Sequence, residues 1–193
     1  MRTFLFICIA SMLLSCGSKN QTVRISTEIG DITIEVYSDK APITSANFLA
    51  YVDSGKYDNK SCFYRTVRMD NQPNNPVKIE VIQGGFYEDS LIEKYQFPVI
   101  KHETTKETGV LHKDGTISMA RGPVGTASSE FFICIGDQPE LDFDGKRNPD
   151  GQGFAAFGKV IKGMEIVYEI QKQKDENQYL VKPIKILSVK RTY

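Results

Sequence analysis

Val23-Arg24-Ile25-Ser26-Thr27-Glu28-Ile29-Gly30-Asp31-Ile32-Thr33-Ile34-Glu35-Val36 is the stretch that decides the fold class. Val23 and Ile25, then Ile32, Ile34 and Val36, alternate with polar residues, which is the period of a strand with one buried face. Between the two runs, Glu28-Ile29-Gly30-Asp31 carries the Gly and Asp of a tight turn. The segment is predicted to be a β-hairpin. Outward from it, short strand-like runs recur at residues 61–67, 79–83, 116–120, 131–135 and 154–160. The chain closes with Ile184, Ile186 and Ser188 alternating against Lys185 and Leu187. Two helices interrupt this pattern. Ala41-Pro42 opens the first, because Pro is tolerated in an initial turn, and Gly55 suits the left-handed residue beyond its end. Its expected inner face is Ile43, Ala46, Leu49 and Ala50, with Phe48 and Val52 alongside. Met164, Val167 and Ile170 mark the second at helical spacing. Residues 69–78 and 142–153 have the Asn, Pro, Gly and Asp of loops. The expected class is all-β or β-rich, a closed antiparallel barrel plugged by helices, since closure removes exposed sheet edges.

The 193 residues fit one domain with a tail. With 24 basic and 24 acidic residues the formal charge is zero, and no clustered positive excess suggests a nucleic-acid partner. The first residues are of different composition. Arg2 precedes an apolar run over residues 4–14, too short to span a bilayer and of the size of a signal-peptide core. The run ends Leu13-Leu14-Ser15-Cys16-Gly17, which looks like a bacterial lipobox, in which the cysteine is lipidated and becomes the new N-terminus. The other reading is an ordinary secretory leader with an incidental Cys16; the cysteine's place at the end of the apolar core favours the first. The expected organisation is a leader over 1–15, a lipidated Cys16 with a short tether over 16–21, and one folded domain over 22–193. Such a chain would be exported and anchored to the bacterial cell envelope by acylated Cys16. Several acyl chains on one residue make such an anchor stable. Cys62 and Cys134 lie in strand-like runs and are read as two buried thiols, although an exported compartment permits a disulfide. His102 and His112 have no metal-like spacing, and no metal site is expected.

Five motifs follow one another: Phe63-Tyr64-Arg65, Val81-Ile82-Gln83-Gly84-Gly85, Ile117-Ser118-Met119-Ala120-Arg121, Ser129-Glu130-Phe131-Phe132-Ile133 and Phe154-Ala155-Ala156-Phe157-Gly158-Lys159-Val160. In this order they resemble the cyclophilins. The family patterns are Phe-His-Arg, Met-x-Gln-Gly-Gly, Ser-Met-Ala-Asn or Ala-Met-Ala-Arg, Ser-Gln-Phe-Phe-Ile and Val-Phe-Gly-Lys-Val. Each motif alone is weak; an arginine on a strand is usually a solvated outer-face residue. Five in order carry the resemblance, which extends over nearly all of 22–193.

The resemblance implies a closed antiparallel eight-stranded barrel capped by two helices, and peptidyl-prolyl cis-trans isomerisation of exported proteins, assisting their folding. The alternative is a membrane-anchored module that binds proline segments with little turnover. The bond before proline rotates over a barrier of about 18–20 kcal/mol, while its cis and trans forms differ by only about 0.5–1 kcal/mol. Catalysis therefore needs no nucleophile, metal or cofactor, only tighter binding of the twisted amide than of either planar form. Twisting returns a lone pair to the prolyl nitrogen, which a fixed cationic donor stabilises. The resemblance gives that role to Arg65, with Gln83 orienting it and holding a substrate carbonyl. It makes Phe132 the floor of an apolar proline pocket walled by Val81 and Leu141. It assigns to Ala120 and Arg121 the backbone that pairs with an extended substrate, and places Glu130 and Phe154 at the rim.

Several positions depart from the family patterns. Tyr64 stands for His, Val81 for Met, Glu130 for Gln, Glu140 for Trp or Phe, and Phe154 for His or Tyr. The chain has no Trp, so strong binding of cyclosporin is not expected. Glu80 and Glu140 are read as solvated rim carboxylates, and Glu130 as a residue touching the site, whose replacement by Gln is expected to keep or raise activity.

Overall fold

The computed structural model describes residues 20–192. The leader over 1–15 and the lipidation expected at Cys16 lie outside the described residues. The strands are β1 (Gln21–Thr27), β2 (Gly30–Val36), β3 (Ser61–Val67), β4 (Val81–Gly85), β5 (Thr116–Met119), β6 (Phe131–Cys134), β7 (Ala155–Lys162), β8 (Asp175–Glu176) and β9 (Tyr179–Thr192). Their order in the sheet is β1-β2-β7-β5-β6-β4-β3-β9-β8, and β1 also pairs with β9. Eight antiparallel strands thus close on themselves, and the two-residue β8 is appended to β9. The opening hairpin forms as its alternation predicts, with Val23 opposite Ile34 and Ile25 opposite Ile32. Gln21, the last residue of the expected tether, already pairs with Val36 in the sheet.

Along β3, β4 and β6 successive side chains point to opposite faces, which divides their apolar residues between two clusters. Phe131 and Ile133 of β6, Ile82 of β4 and Phe63 of β3 point into the barrel core. Phe132 and Cys134, Val81 and Val67 point outward, where they join Ile79 and Leu141 in a smaller cluster. The outer cluster is the base of the site described below.

The helices are α1 (Pro42–Asp53), α2 (Asp89–Tyr95), α3 (Thr105–Thr108) and α4 (Met164–Gln171). Among the described residues none is long and apolar enough to cross a membrane. α1 ends as expected, with Gly55 left-handed at φ +62°. Its inner face differs in part from the expected one. Leu49, Phe48 and Val52 are buried as expected, but Ile43, Ala46 and Ala50 are exposed, and Thr44, Ser45 and Tyr51 are buried in their stead. The reason is polar anchoring. Glu103 accepts hydrogen bonds from the Ile43 and Thr44 N–H groups and from Thr44 Oγ1, while Tyr51 pairs its hydroxyl with Ser128. α2 and α3 have no counterpart in the sequence reading, which expects two helices. α2 buries no residue fully, and α3 is a single turn held by a capping box between Thr104 and Glu107. Neither builds an apolar stripe long enough to be legible. Both cysteines of the domain are free thiols, as read; Cys134 is fully buried but Cys62 only half-buried. Burial pushes the Cys62 thiol up to about 12.

Candidate active site

A concave pocket of about 150 Å³ opens over the outer cluster, lined by Arg65, Val81, Gln83, Ala120, Arg121, Phe132, Leu141 and Phe154 together with Ile79 and Arg147. Every pocket residue predicted from the sequence except Glu130 meets here. Phe132 and Leu141 are almost fully buried at its base, and Phe154 stands edge-on to Phe132 with ring centroids 5.3 Å apart. Behind Phe132 lies the ring of His112, stacked at 5.9 Å. His112 Nδ1 is 2.7 Å from Asp142 Oδ1 and its Nε2 is 3.0 Å from Ser118 Oγ. Burial holds the imidazole below its usual pKa despite Asp142. It is therefore neutral, donating through Nδ1 and accepting from Ser118. The set has the residue types of a nucleophilic triad, but Ser118 and His112 are sealed beneath the floor. It supports Phe132 rather than meeting a substrate.

Arg65 reaches the pocket through a β-bulge. The pairing of β3 with β4 runs Phe63 to Gly84 and then Arg65 to Gln83, so Tyr64 is an extra residue in the ladder. The bulge re-aims the strand at the point where Arg65 and Gln83 come to face one another. Arg65 Nη1 donates to Gln83 Oε1 at 2.9 Å; its Nε and Nη2 donate to Gln178 Oε1 at 3.1 and 2.5 Å. A guanidinium has five N–H donors, so two remain for a ligand. Both partners are neutral amides, and the positive charge on Arg65 is not quenched by a carboxylate.

The hydrogen bonds continue inward. Gln83 Nε2 donates to Tyr64 Oη at 2.6 Å, and Tyr64 donates to Glu130 Oε2 at 2.7 Å. The direction of every link follows from the two ends, since a guanidinium only donates and a carboxylate only accepts. Gln83 must turn its oxygen to Arg65, its amide nitrogen must then face Tyr64, and the phenol proton must point to Glu130. Glu130 Oε1 also accepts from the Phe86 N–H at 2.8 Å and from Ser129 Oγ at 3.1 Å. Burial raises the Glu130 pKa, against the pull of these hydrogen bonds. Gly85 makes room for this carboxylate. Its φ is +147°, and a Cβ there would collide with both Glu130 oxygens. Glu130 thus touches Arg65 only through Tyr64 and Gln83, and it lines the adjoining hollow of about 220 Å³ that shares Gln83, Ala120 and Arg121 with the pocket over Phe132. The geometry argues against the expectation that Glu130→Gln keeps or raises activity. An amide has one acceptor oxygen where the carboxylate has two: with its nitrogen toward Tyr64 the phenol proton loses its acceptor, and with its nitrogen toward Phe86 two donors face each other.

Glu80 and Glu140 stay clear of Arg65. Glu80 accepts from Gln171 Nε2 at 3.3 Å and Glu140 from the Lys146 N–H at 2.8 Å. The Arg121 side chain lines the pocket while its hydrogen bonds go to the neighbouring loop. It pairs with both Asp150 oxygens at 2.8 and 2.9 Å, donates to the Gly153 carbonyl and covers the Phe154 ring. These bonds pull the Asp150 carboxyl down to about 2. The Ala120 N–H donates to the Glu130 carbonyl at 2.8 Å.

Two residues were missed in the sequence. Arg147 sits in a loop rich in charge, and Gln178 in a two-residue turn between β8 and β9, far from any motif. The only signal for Gln178 is the polar Asn177-Gln178 pair after an acidic run, both residues being left-handed here.

The family model described as cyclophilin type peptidyl-prolyl cis-trans isomerase/CLD matches residues 22–191. A peptidyl-prolyl cis-trans isomerase of Acinetobacter baylyi is 36% identical over 190 residues, covering 95% of this chain and 92% of that protein. Peptidyl-prolyl cis-trans isomerase B of Escherichia coli is 34% identical over 150 residues, covering 77% and 83%. The crystal structure of a cyclophilin-type isomerase from Cryptosporidium parvum superposes with a TM-score of 0.71 at 24% identity, covering 90% of this chain and 98% of that one. The chain belongs to the cyclophilin-type peptidyl-prolyl cis-trans isomerases, enzymes that act on proline-containing peptides.

Proposed function

We propose that the enzyme isomerises X-Pro bonds in exported polypeptides, with Arg65 as the catalytic donor, while tethered to the cell envelope through acylated Cys16. The observation that carries the catalytic part is an arginine held at the mouth of an apolar pocket by two amide oxygens, its charge unopposed and two N–H groups free. A proline ring on Phe132 would bring its nitrogen beside this guanidinium. As the amide twists, the lone pair regained by nitrogen meets a donor already oriented, so little reorganisation is needed at the barrier. Guanidinium suits the task, being permanently charged and rigidly forked. Gln83 fixes the fork and is within reach of a substrate carbonyl. The export and anchor rest on the leader-like run and on Cys16 at its end. Uncatalysed isomerisation takes tens to hundreds of seconds, slow enough to limit folding of clients outside the cytoplasm.

The test compares isomerisation of a short X-Pro peptide by wild type and Arg65→Ala, followed by NMR exchange. A loss of about 100-fold is expected, the scale of removing one preorganised donor. Equal rates would remove Arg65 from the mechanism. Incorporation of a palmitate analogue in wild-type cells, absent in Cys16→Ser, is expected for the anchor; labelling of neither would refute it.

A further inference from the structure

The pocket over Phe132 shares two walls, Arg65 and Arg147, with a neighbouring hollow of about 380 Å³. On its other flank it shares Gln83, Ala120 and Arg121 with the hollow beside Glu130. The three form one groove, and the Arg65–Arg147 end lies on only one side of the proline position. The lining at this end is unusual. Asn71, Gln72 and Asn74 come from the loop after β3, and Gln178 from the β8–β9 turn. Among the described residues no carboxylate lines it.

Gln72, almost fully buried, fixes the loop by donating to the Arg68 and Ile79 carbonyls at 2.7 Å each. Its oxygen accepts from Arg147 Nη1 at 2.9 Å, and Arg147 Nη1 also donates to the Val77 carbonyl at 2.6 Å. Gln178 Nε2 donates to the Asn71 carbonyl at 3.1 Å, which ties the turn to the same loop. Asp175, the nearby acid, is engaged by Arg68, by Asn71 Nδ2 and by the Gln178 N–H. Asp70 is paired with Arg68 as well. Two guanidinium groups therefore face one hollow with only amides and carbonyls as partners. Among the described residues Arg147 makes no hydrogen bond through Nε or Nη2, and Arg65 keeps two N–H groups free. Like charges brought together in a partly buried site repel, and burial and Arg65 together hold Arg147 below its usual pKa. A carboxylate would relieve that repulsion and match the forked geometry of either arginine.

We propose that this hollow is a substrate subsite for the carboxylate of an Asp or Glu side chain flanking the proline, on the one side of it that runs toward the loop after β3. The proposal rests on reading the Phe132 pocket as the proline site. It makes the enzyme selective for acidic X-Pro contexts without any change at the proline itself.

Two series of short alanine-rich peptides with a single proline test it, carrying Glu, Gln or Lys after the proline in one and before it in the other. Dissociation constants from NMR titration and exchange rates are measured on the same samples. In one series only, Glu is expected to bind about tenfold tighter than Gln, and Lys more weakly than Gln. The Glu-to-Gln ratio should fall toward one in Arg147→Gln and be largely kept in Arg147→Lys. Equal affinities in both series would overturn the subsite, and so would an equal acid preference in both, which is general attraction rather than a site. Turnover of all peptides without acid preference would sink the subsite and leave the isomerase site intact. Acid preference in binding without turnover would keep the subsite and sink the role of Arg65. Should Arg147→Gln fail to fold, the wild-type ratios decide by themselves.

Discussion

Tyr64 and Glu130 look like two unrelated departures when the motifs are compared one at a time. In the folded protein they are the two ends of one hydrogen bond, 2.7 Å long. A phenol in place of a His and a carboxylate in place of a Gln form a donor–acceptor pair that hands a fixed polarity to Gln83 and then to Arg65. Changing one member should therefore harm, and changing both should restore. Glu130→Gln is expected to lower kcat/KM about fivefold, the cost of roughly one misdirected buried hydrogen bond. Tyr64→His with Glu130→Gln is expected to recover most of that loss. Steady-state kinetics on one X-Pro peptide decide the matter, and additive losses in the double variant would show that the two residues are not coupled.

At the level of elements, the site depends on irregularities in an otherwise regular barrel. The bulge at Tyr64 turns β3 so that Arg65 meets Gln83. The left-handed turn after β8 carries Gln178 to the other edge of the same guanidinium. Gly85 lets β4 pass the Glu130 carboxylate where no side chain fits. Gly85→Ala is expected to destabilise the fold by about 2–3 kcal/mol, combining a strained φ with displacement of Glu130. Gly109→Ala is the control. Its φ of +68° is also left-handed but nothing lies within 4 Å of a Cβ there, so about 1 kcal/mol of backbone strain is expected alone. Urea denaturation of both variants compares the two, and equal losses would mean that the contact with Glu130 contributes nothing.

For the whole molecule, the buried carboxylate makes stability depend on pH. The folded-state pKa of Glu130 is raised above its unfolded value by burial. The folded protein thus holds this proton more tightly, and the contribution favours folding below the ordinary Glu range, about pH 4.3. It is lost as pH rises through the raised value. Wild-type stability relative to Glu130→Gln should fall across that window in urea titrations at a series of pH values; a constant difference would show that Glu130 does not titrate there. The sequence by itself determined the barrel: β1, β2 and much of β9 write a buried face in a period of two, while β5 and β6, buried at every position, are legible through the order of the motifs they carry. It also pointed to Arg65, Gln83, Phe132, Val81 and Leu141 as neighbours, and they line one pocket, because motif order stays readable where single positions differ. It misplaced part of the inner face of α1, since buried Thr44 and Tyr51 follow polar anchors contributed from residues 103 and 128, far along the chain. Only the tertiary structure brought Gln178 and Arg147 to Arg65, because a hydrogen bond between residues separated by 113 positions leaves no periodic trace along the chain. The pairing of Tyr64 with Glu130 was decided in the same way, as each residue by itself reads as an ordinary substitution.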